Sequence, residues 1–243
     1  MTLTNTPGAP LPPLGRRIPT DWRHVERYPY AAVAPQTIDS VERELSLPRY
    51  RVQYDQQREG ACVGFSSSWM MSILNRRFYD ARWLWNRAKE VDEWPETNPG
   101  DNNGTSVRAA MDILRTEGHR RIYNGSTEPV SLAEGIAENR WAAKVDEIRT
   151  SIASGTPAVL GVNWYTNFDS PVQRGSDGYW IGEGLLGSVR GGHAICVFGA
   201  SDRRQAVRLV NSWGERYPLI WMPYAVLQRL IDEDGEATLA TDR

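Results

Sequence analysis

Residues 55–69 read DQQREGACVGFSSSW and hold one of only two cysteines among 243 residues. A glutamine and a polar, glycine-bearing turn precede Cys62. After it, Val63, Phe65, Trp69, Met70, Ile73 and Leu74 recur at helical spacing. The spacing predicts a helix beginning near Cys62, with Ser66, Ser67 and Ser68 on its polar side. A thiol at a helix start is set up to react, because the helix N-terminus and a nearby imidazolium stabilise the thiolate. Such a nucleophile needs a base brought in from elsewhere and a third group to orient that base.

There are three histidines. His24 lies in an N-terminal segment interrupted by prolines, and His119 follows a helix end, where a surface role is the default. His193 opens the β-rich run HAICVFGA directly after Gly191 and Gly192, which leave room for a substrate or another backbone to approach. It is the candidate base. The orienter is suggested by NSWG at residues 211–214: strand alternation puts Asn211 and Trp213 on one face and Ser212 on the other. An Asn211 amide accepting from the His193 ring, roofed by the Trp213 indole, would fix the tautomer and exclude water. The same parity turns Cys196 away from His193 and makes it a small buried hydrophobe.

The rest of the chain divides by period. Residues 1–20 are rich in proline, glycine and threonine and are expected to form a flexible or extended arm. Residues 21–243 are read as a single domain. Helical patterns are expected at FYDARWLWNRAKEVDEW, at TSVRAAMDILRTEG with Thr105 or Ser106 as N-cap and Gly118 as stop, and at WAAKVDEIRTSIASG, carried by Trp141, Val145, Ile148 and Ile152. PETNPGDNNG reads as a loop. Thereafter PAVLGVNWY, GGHAICVFGA and QAVRLVNSW are short strand-like runs. Helices first and strands later, without βαβ alternation, predict an α+β fold. The helical half spans approximately 55–125 and the β half approximately 155–225.

Composition excludes several classes. A formal charge of −2 gives no global field for nucleic acid or an anionic membrane. No apolar run approaches a bilayer span and the N-terminus lacks a signal-peptide core, so a cytoplasmic or particle-associated protein is expected. Two cysteines and three scattered histidines offer no metal-ligand spacing, so no metal and no cofactor are expected.

Cys62, His193 and Asn211 in that chain order, with NSWG around the asparagine, resemble the papain-like cysteine peptidases. His193 and Asn211 fall within the roughly 130–150 residues downstream of the cysteine at which that family carries them. Gln56 stands six residues before Cys62, where the family places its oxyanion glutamine. NGTSVRAAMDIL is similar to the segment lining the non-primed side of the cleft, with Gly104 placed to pair with substrate backbone. The resemblance runs from about Asp55 to Met222. Val63 stands where the family usually has tryptophan, and Glu59 where a further cysteine is common, so the bridge that cysteine would anchor is missing. The region before Cys62 is shorter than the inhibitory prosegment of lysosomal members and resembles prosegment-free bacterial and phage-borne relatives. How latency would be kept is left open.

The resemblance implies a helical half carrying the Cys62 helix, packed against an antiparallel β-sheet half, with the active site between them. It implies peptide hydrolysis through a thioester: Cys62 as nucleophile, His193 as base and acid, Asn211 as orienter, and Gln56 with the Cys62 N–H as oxyanion donors. Gly104, Thr105, Ser106, Trp164, Gly192 and Trp213 are the candidate substrate-binding residues. Of these, Ser106, Trp164 and Gly192 are the expected walls of the pocket that takes the second residue before the scissile bond. The expected partner is a protein or peptide substrate. Two alternatives stand beside this reading: a catalytically silent structural protein docking to a larger assembly through the N-terminal arm, and an isopeptidase or cell-wall amidase using the same dyad.

Overall fold

A computed structural model describes residues 13–21, 28–30, 39–48, 54–94 and 103–242. His24 and the loop from Pro95 to Asn102 lie outside them. Helix α1 (Cys62–Asn75) begins at the nucleophile, as the periodicity requires, and ends at Arg76 in the left-handed conformation (φ 57°). It is buried on nearly every side, and its serines are not on a wet face. Ser66, Ser67 and Ser68 are all buried. Ser66 Oγ donates to the Val63 carbonyl at 3.2 Å, and Ser72 Oγ bonds the Tyr54 hydroxyl at 2.7 Å. Small hydroxyls let other elements close on the helix: Ser66, Ser68 and Ser72 satisfy their own polarity, whereas Ser67 Oγ is buried with no hydrogen-bond partner. Gly64 does the same for α2 (Ala81–Val91): a Cβ there would lie 2.4 Å from the Ala81 carbonyl oxygen.

Capping follows the sequence. Asp80 accepts from the Trp83 N–H at 3.0 Å and starts α2. Ser106 accepts from the Ala109 N–H at 3.2 Å and starts α3 (Val107–Thr116), which Gly118 stops at φ +90°. The fourth helix, α4 (Val145–Ser154), begins later than the pattern suggested. Trp141 lies in a strand, and Glu147 reaches back to the Lys144 N–H at 2.9 Å to set the helix start. The fifth, α5, is Tyr224–Asp232.

The strands form two sheets. A three-stranded sheet in the helical half joins β2 (Phe78–Tyr79), β3 (His119–Tyr123) and β4 (Ser126–Ser131). The large sheet contains β5 (Ile136–Ala142), β6 (Ala158–Tyr165), β7 (Val172–Gln173), β8 (Tyr179–Trp180), β9 (Val189–Ser201), β10 (Ala206–Val210), β11 (Ile220–Pro223) and β12 (Glu236–Asp242). Its order is β5-β12-β6-β9-β10-β11-β8-β7, with β1 (Glu42–Glu44) on β9. Among the described residues every pairing between these strands is antiparallel except β8 with β11. The β half therefore runs beyond residue 225, because β12 inserts between β5 and β6. The start of α1 packs on the middle of β9, where a Cys62 bond reaches the backbone beside His193. Among the described residues no helix is long and apolar enough to cross a membrane.

Candidate active site

Cys62 is the first residue of α1, and its Sγ accepts from the Ala194 N–H at 3.4 Å. That contact brings β9 against the helix start and sets the neighbouring His193 at the same point. His193 Nε2 lies 2.9 Å from Asn211 Oδ1. The Ser212 N–H also donates to Oδ1, at 2.8 Å, which fixes that atom as the amide oxygen. An acceptor-only oxygen requires the proton on Nε2, so the neutral ring presents Nδ1 as a bare acceptor. Nδ1 is buried with no hydrogen-bond partner of its own. Trp164 and Trp213 pack on the ring with centroids 4.6 and 5.0 Å away, and Trp164 Nε1 is tied to Asp169 at 3.0 Å.

Gln56 is fully buried and held on three sides. Its N–H donates to the Ser212 carbonyl at 2.8 Å, its Oε1 accepts from Ser212 Oγ, and its Nε2 donates to the Glu59 carbonyl at 2.7 Å. Residues 211 and 212 thus serve opposite faces, as alternation required. Asn211 aims the histidine and Ser212 aims the glutamine. Ser212 was not singled out from the sequence, although its parity already placed it away from His193.

Residues 13–17 lie in the cleft. Gln56 Nε2 donates to the Pro13 carbonyl at 3.0 Å. The Thr105 N–H donates to Gly15 O at 2.9 Å, the Arg17 N–H to Thr105 O at 2.9 Å, and the Arg16 N–H to Gly192 O at 3.0 Å. A Cβ on Gly15 would sit 1.8 Å from the Gly60 carbonyl oxygen, and one on Gly104 would sit 1.9 Å from that of Gly15. Two glycines therefore let the backbones touch. This part of the arm is extended, one of the two forms the composition allows, and it is anchored by these bonds. Residues 1–12 of the arm lie outside the described residues.

Closure changes the electrostatics. Cys62 and His193 have no solvent exposure. Burial pushes the thiol up to about 11, against weaker opposing pulls from the Ala194, Gly15 and Val63 N–H groups and the Arg16 charge. Burial pushes His193 down to about 3, with the Asn211 bond opposing and Arg190 adding to the shift. The closed site holds a neutral thiol and a neutral imidazole, the reverse of the reactive pair.

The structure brings Cys62, His193, Asn211 and Gln56 together, with Gly104, Thr105 and Gly192 lining the cleft and Trp213 on the histidine. Ser106 spends its hydroxyl on the α3 cap, and Trp164 faces the His193 ring. The β6 residue facing the Arg16 side chain is Gly161. Cys196 is buried, as parity indicated. His119 is buried too, not on the surface. Its Nδ1 accepts from the Arg120 N–H, its Nε2 bonds Ser68 Oγ at 2.9 Å, its ring stacks on Tyr79, and burial lowers it to about 3. Among the described residues no group of three or more His, Cys, Asp or Glu side chains is placed to hold a metal ion.

No protein-family model matches the sequence, and no curated protein matches it. The fold does match solved structures. It is similar to xylellain, a cysteine protease from Xylella fastidiosa, with TM-score 0.68 and 18% identity, covering 97% of this chain and 98% of that one. It is similar to procathepsin B from Trypanosoma congolense, with TM-score 0.58, 11% identity and coverage of 92% and 89%. A Carica candamarcensis cysteine protease solved in complex with E-64 matches with TM-score 0.53, 13% identity and coverage of 82% and 94%.

Proposed function

From a papain-like fold with this constellation, we propose that the chain is a cysteine peptidase held closed by its own residues 13–17. The observation that carries the reading is the convergence of Cys62 Sγ, at a helix N-terminus, with the His193–Asn211 pair through the Ala194 N–H contact. With the cleft vacated, the Cys62 sulfur attacks a substrate carbonyl carbon as Nδ1 of His193 takes the thiol proton. The carbonyl oxygen gathers charge, and Gln56 Nε2 and the Cys62 N–H are its donors. His193 then gives the proton to the departing amine as the C–N bond breaks, leaving a thioester. Water, deprotonated at Nδ1, cleaves the thioester and restores the thiol. Asn211 holds the ring through each of these proton transfers.

The direction of the arm explains how it blocks without being cut. Its residues 15–17 run along Gly104 and Thr105, the non-primed side, while Pro13, nearer the N-terminus, lies at Gln56. A substrate places residues N-terminal to the scissile bond on that side, so the arm runs in the opposite sense.

The silent-protein alternative draws on the complete burial of Cys62 and His193. Turnover separates the readings. A full-length Gly15→Val chain, whose side chain has no room against Gly60, is expected to hydrolyse a peptide library, and the same chain with Cys62→Ala is not. Hydrolysis of peptidoglycan but not of peptides would favour the amidase. No turnover of either by the folded Gly15→Val chain would overturn the peptidase.

A further inference from the structure

The two indoles packed on His193 share one support. The Trp164 Nε1–H, on β6, donates to Asp169 Oδ1 at 3.0 Å. Asp169 Oδ2 faces Arg190 Nε at 3.1 Å, an ion pair rather than an aligned hydrogen bond. The Arg190 guanidinium lies in turn over Trp213, 5.9 Å from its centroid. One carboxylate therefore reaches both indoles, the first directly and the second through an arginine. Only 6% of the Asp169 side chain and 17% of the Arg190 side chain are exposed, so bulk solvent screens the pair little.

Apolar support comes from the same place. Asp169 ends the turn Thr166–Asp169, which follows β6. Phe168 in that turn packs edge to face on Trp164 at 5.1 Å, and its carbonyl accepts from the Tyr217 hydroxyl at 2.6 Å. Tyr217 packs on Trp213 at 4.8 Å. These rings hold the shape of the roof over His193, and the Asp169–Arg190 pair sets its charge.

We propose that Asp169 is a positioning residue for His193, holding the Trp164 indole directly and offsetting, through its ion pair, the Arg190 charge beside the ring. The inference rests on the peptidase reading and adds a residue to it. Once Cys62 is a thiolate, His193 carries a proton on both nitrogens until it gives one to the leaving amine. A cation near the ring opposes that state, and an anion paired with the cation offsets the opposition. In the closed site burial lowers His193 first, and the Arg190 charge adds to it. When the arm leaves, that burial is relieved, but Arg190 stays, because it belongs to β9 itself. Burial works against both charges of the pair, and their attraction works for them. The other groups around the ring do not take over this role. Cys62 faces it from α1, and Arg16, whose charge reaches Cys62, leaves with the arm. Tyr217 stays neutral, its phenol held well above its ordinary value by burial. Asp55, which bridges to Trp213 through the backbone, pairs with Arg216 at 3.5 Å.

The test uses the full-length Gly15→Val chain and two neutralising variants of it. Asp169→Asn keeps an oxygen for the Trp164 N–H and removes the negative charge, and Arg190→Met keeps an aliphatic stem and removes the positive one. The first readout is the titration of His193 by NMR in chains that also carry Cys62→Ala, so that no thiol titrates with it. A charge roughly 8–10 Å from the ring moves its pKa by about 0.5–1.5 units at an effective dielectric of about 20–40. His193 is expected to fall by that amount in Asp169→Asn and to rise by it in Arg190→Met. With Cys62 intact, the alkaline limb of kcat/KM on a peptide substrate is expected to move in the same directions. A merely structural role would lower turnover without shifts of opposite sign. If Arg190→Met does not fold, the fall in Asp169→Asn alone decides. Opposite shifts without turnover in any chain would sink the peptidase and leave the effect of Asp169 on His193 standing. Turnover with a His193 titration that neither substitution moves, or that both move the same way, would overturn the proposal and leave the peptidase standing. Neither shifts nor turnover would overturn both.

Discussion

Acid should loosen the arm, and the buried histidine says by how much. In the closed site burial lowers His193 from an ordinary value of 6.5 to about 3. A group lowered in this way contributes stability to the closed form that is fully present above 6.5 and is lost as pH falls toward 3. Two units below its ordinary value, the open form with a solvated imidazolium gains about 100-fold, or roughly 3 kcal/mol. Cys62 acts at the other end. It is raised from 9.0 to about 11, so its contribution is present below 9.0 and is lost as pH rises toward 11. The arm should therefore sit most tightly between these limits, near neutrality. The assay is the reaction rate of Cys62 with dipyridyl disulfide, which stays reactive with thiols in acid, in the natural chain divided by that in Gly15→Val. The quotient cancels the reagent's own pH dependence and that of His119, which is buried in the helical half of both chains. It should rise about 100-fold from pH 7.5 to 4.5 while circular dichroism shows both chains folded. A quotient flat from pH 8 to 4 would refute the reasoning.

Further expectations bear on the separate parts. In the arm-opened chain, Gln56→Ala should lower turnover by about 10²–10³ with little change in KM, the loss typical of one oxyanion donor, checked by steady-state kinetics. Gly161→Val in the natural chain should displace Arg16, since even a Cβ lies 2.9 Å from its Nε, and should raise the reactivity of Cys62 toward alkylation. Ser68→Ala removes the partner of His119 Nε2 and should destabilise the fold by about 1–3 kcal/mol, measured in urea, without altering turnover in the arm-opened chain.

The parts of the site legible in the sequence are those set by local period. The α1 pattern placed Cys62 at a helix start, strand parity separated His193 from Cys196, and NSWG split its asparagine from its serine. What escaped depends on contacts between distant segments. Pro- and Gly-rich text reads as a loose arm because nothing local says that Gly15 must fit against Gly60 and Gly104. Glu236 is one acid in a polar C-terminal segment until β12 pairs it with Gly161 and places it opposite Arg16. Three consecutive serines look solvated until helices and a sheet close over them. Asn124-Gly125, both at positive φ, is a local turn signal for the β3–β4 hairpin, and that hairpin puts His119 at the start of a strand rather than on a free helix end.

The central claim is that Cys62 and His193 form a competent pair that the arm covers. It is tested most directly by intact mass after brief treatment with an epoxysuccinyl-peptide inhibitor at pH 6. A single adduct on Cys62 is expected in Gly15→Val, a much slower one in the natural chain, and none when Cys62→Ala is added. A folded Gly15→Val chain that takes no adduct, or takes it on Cys196, would contradict the account.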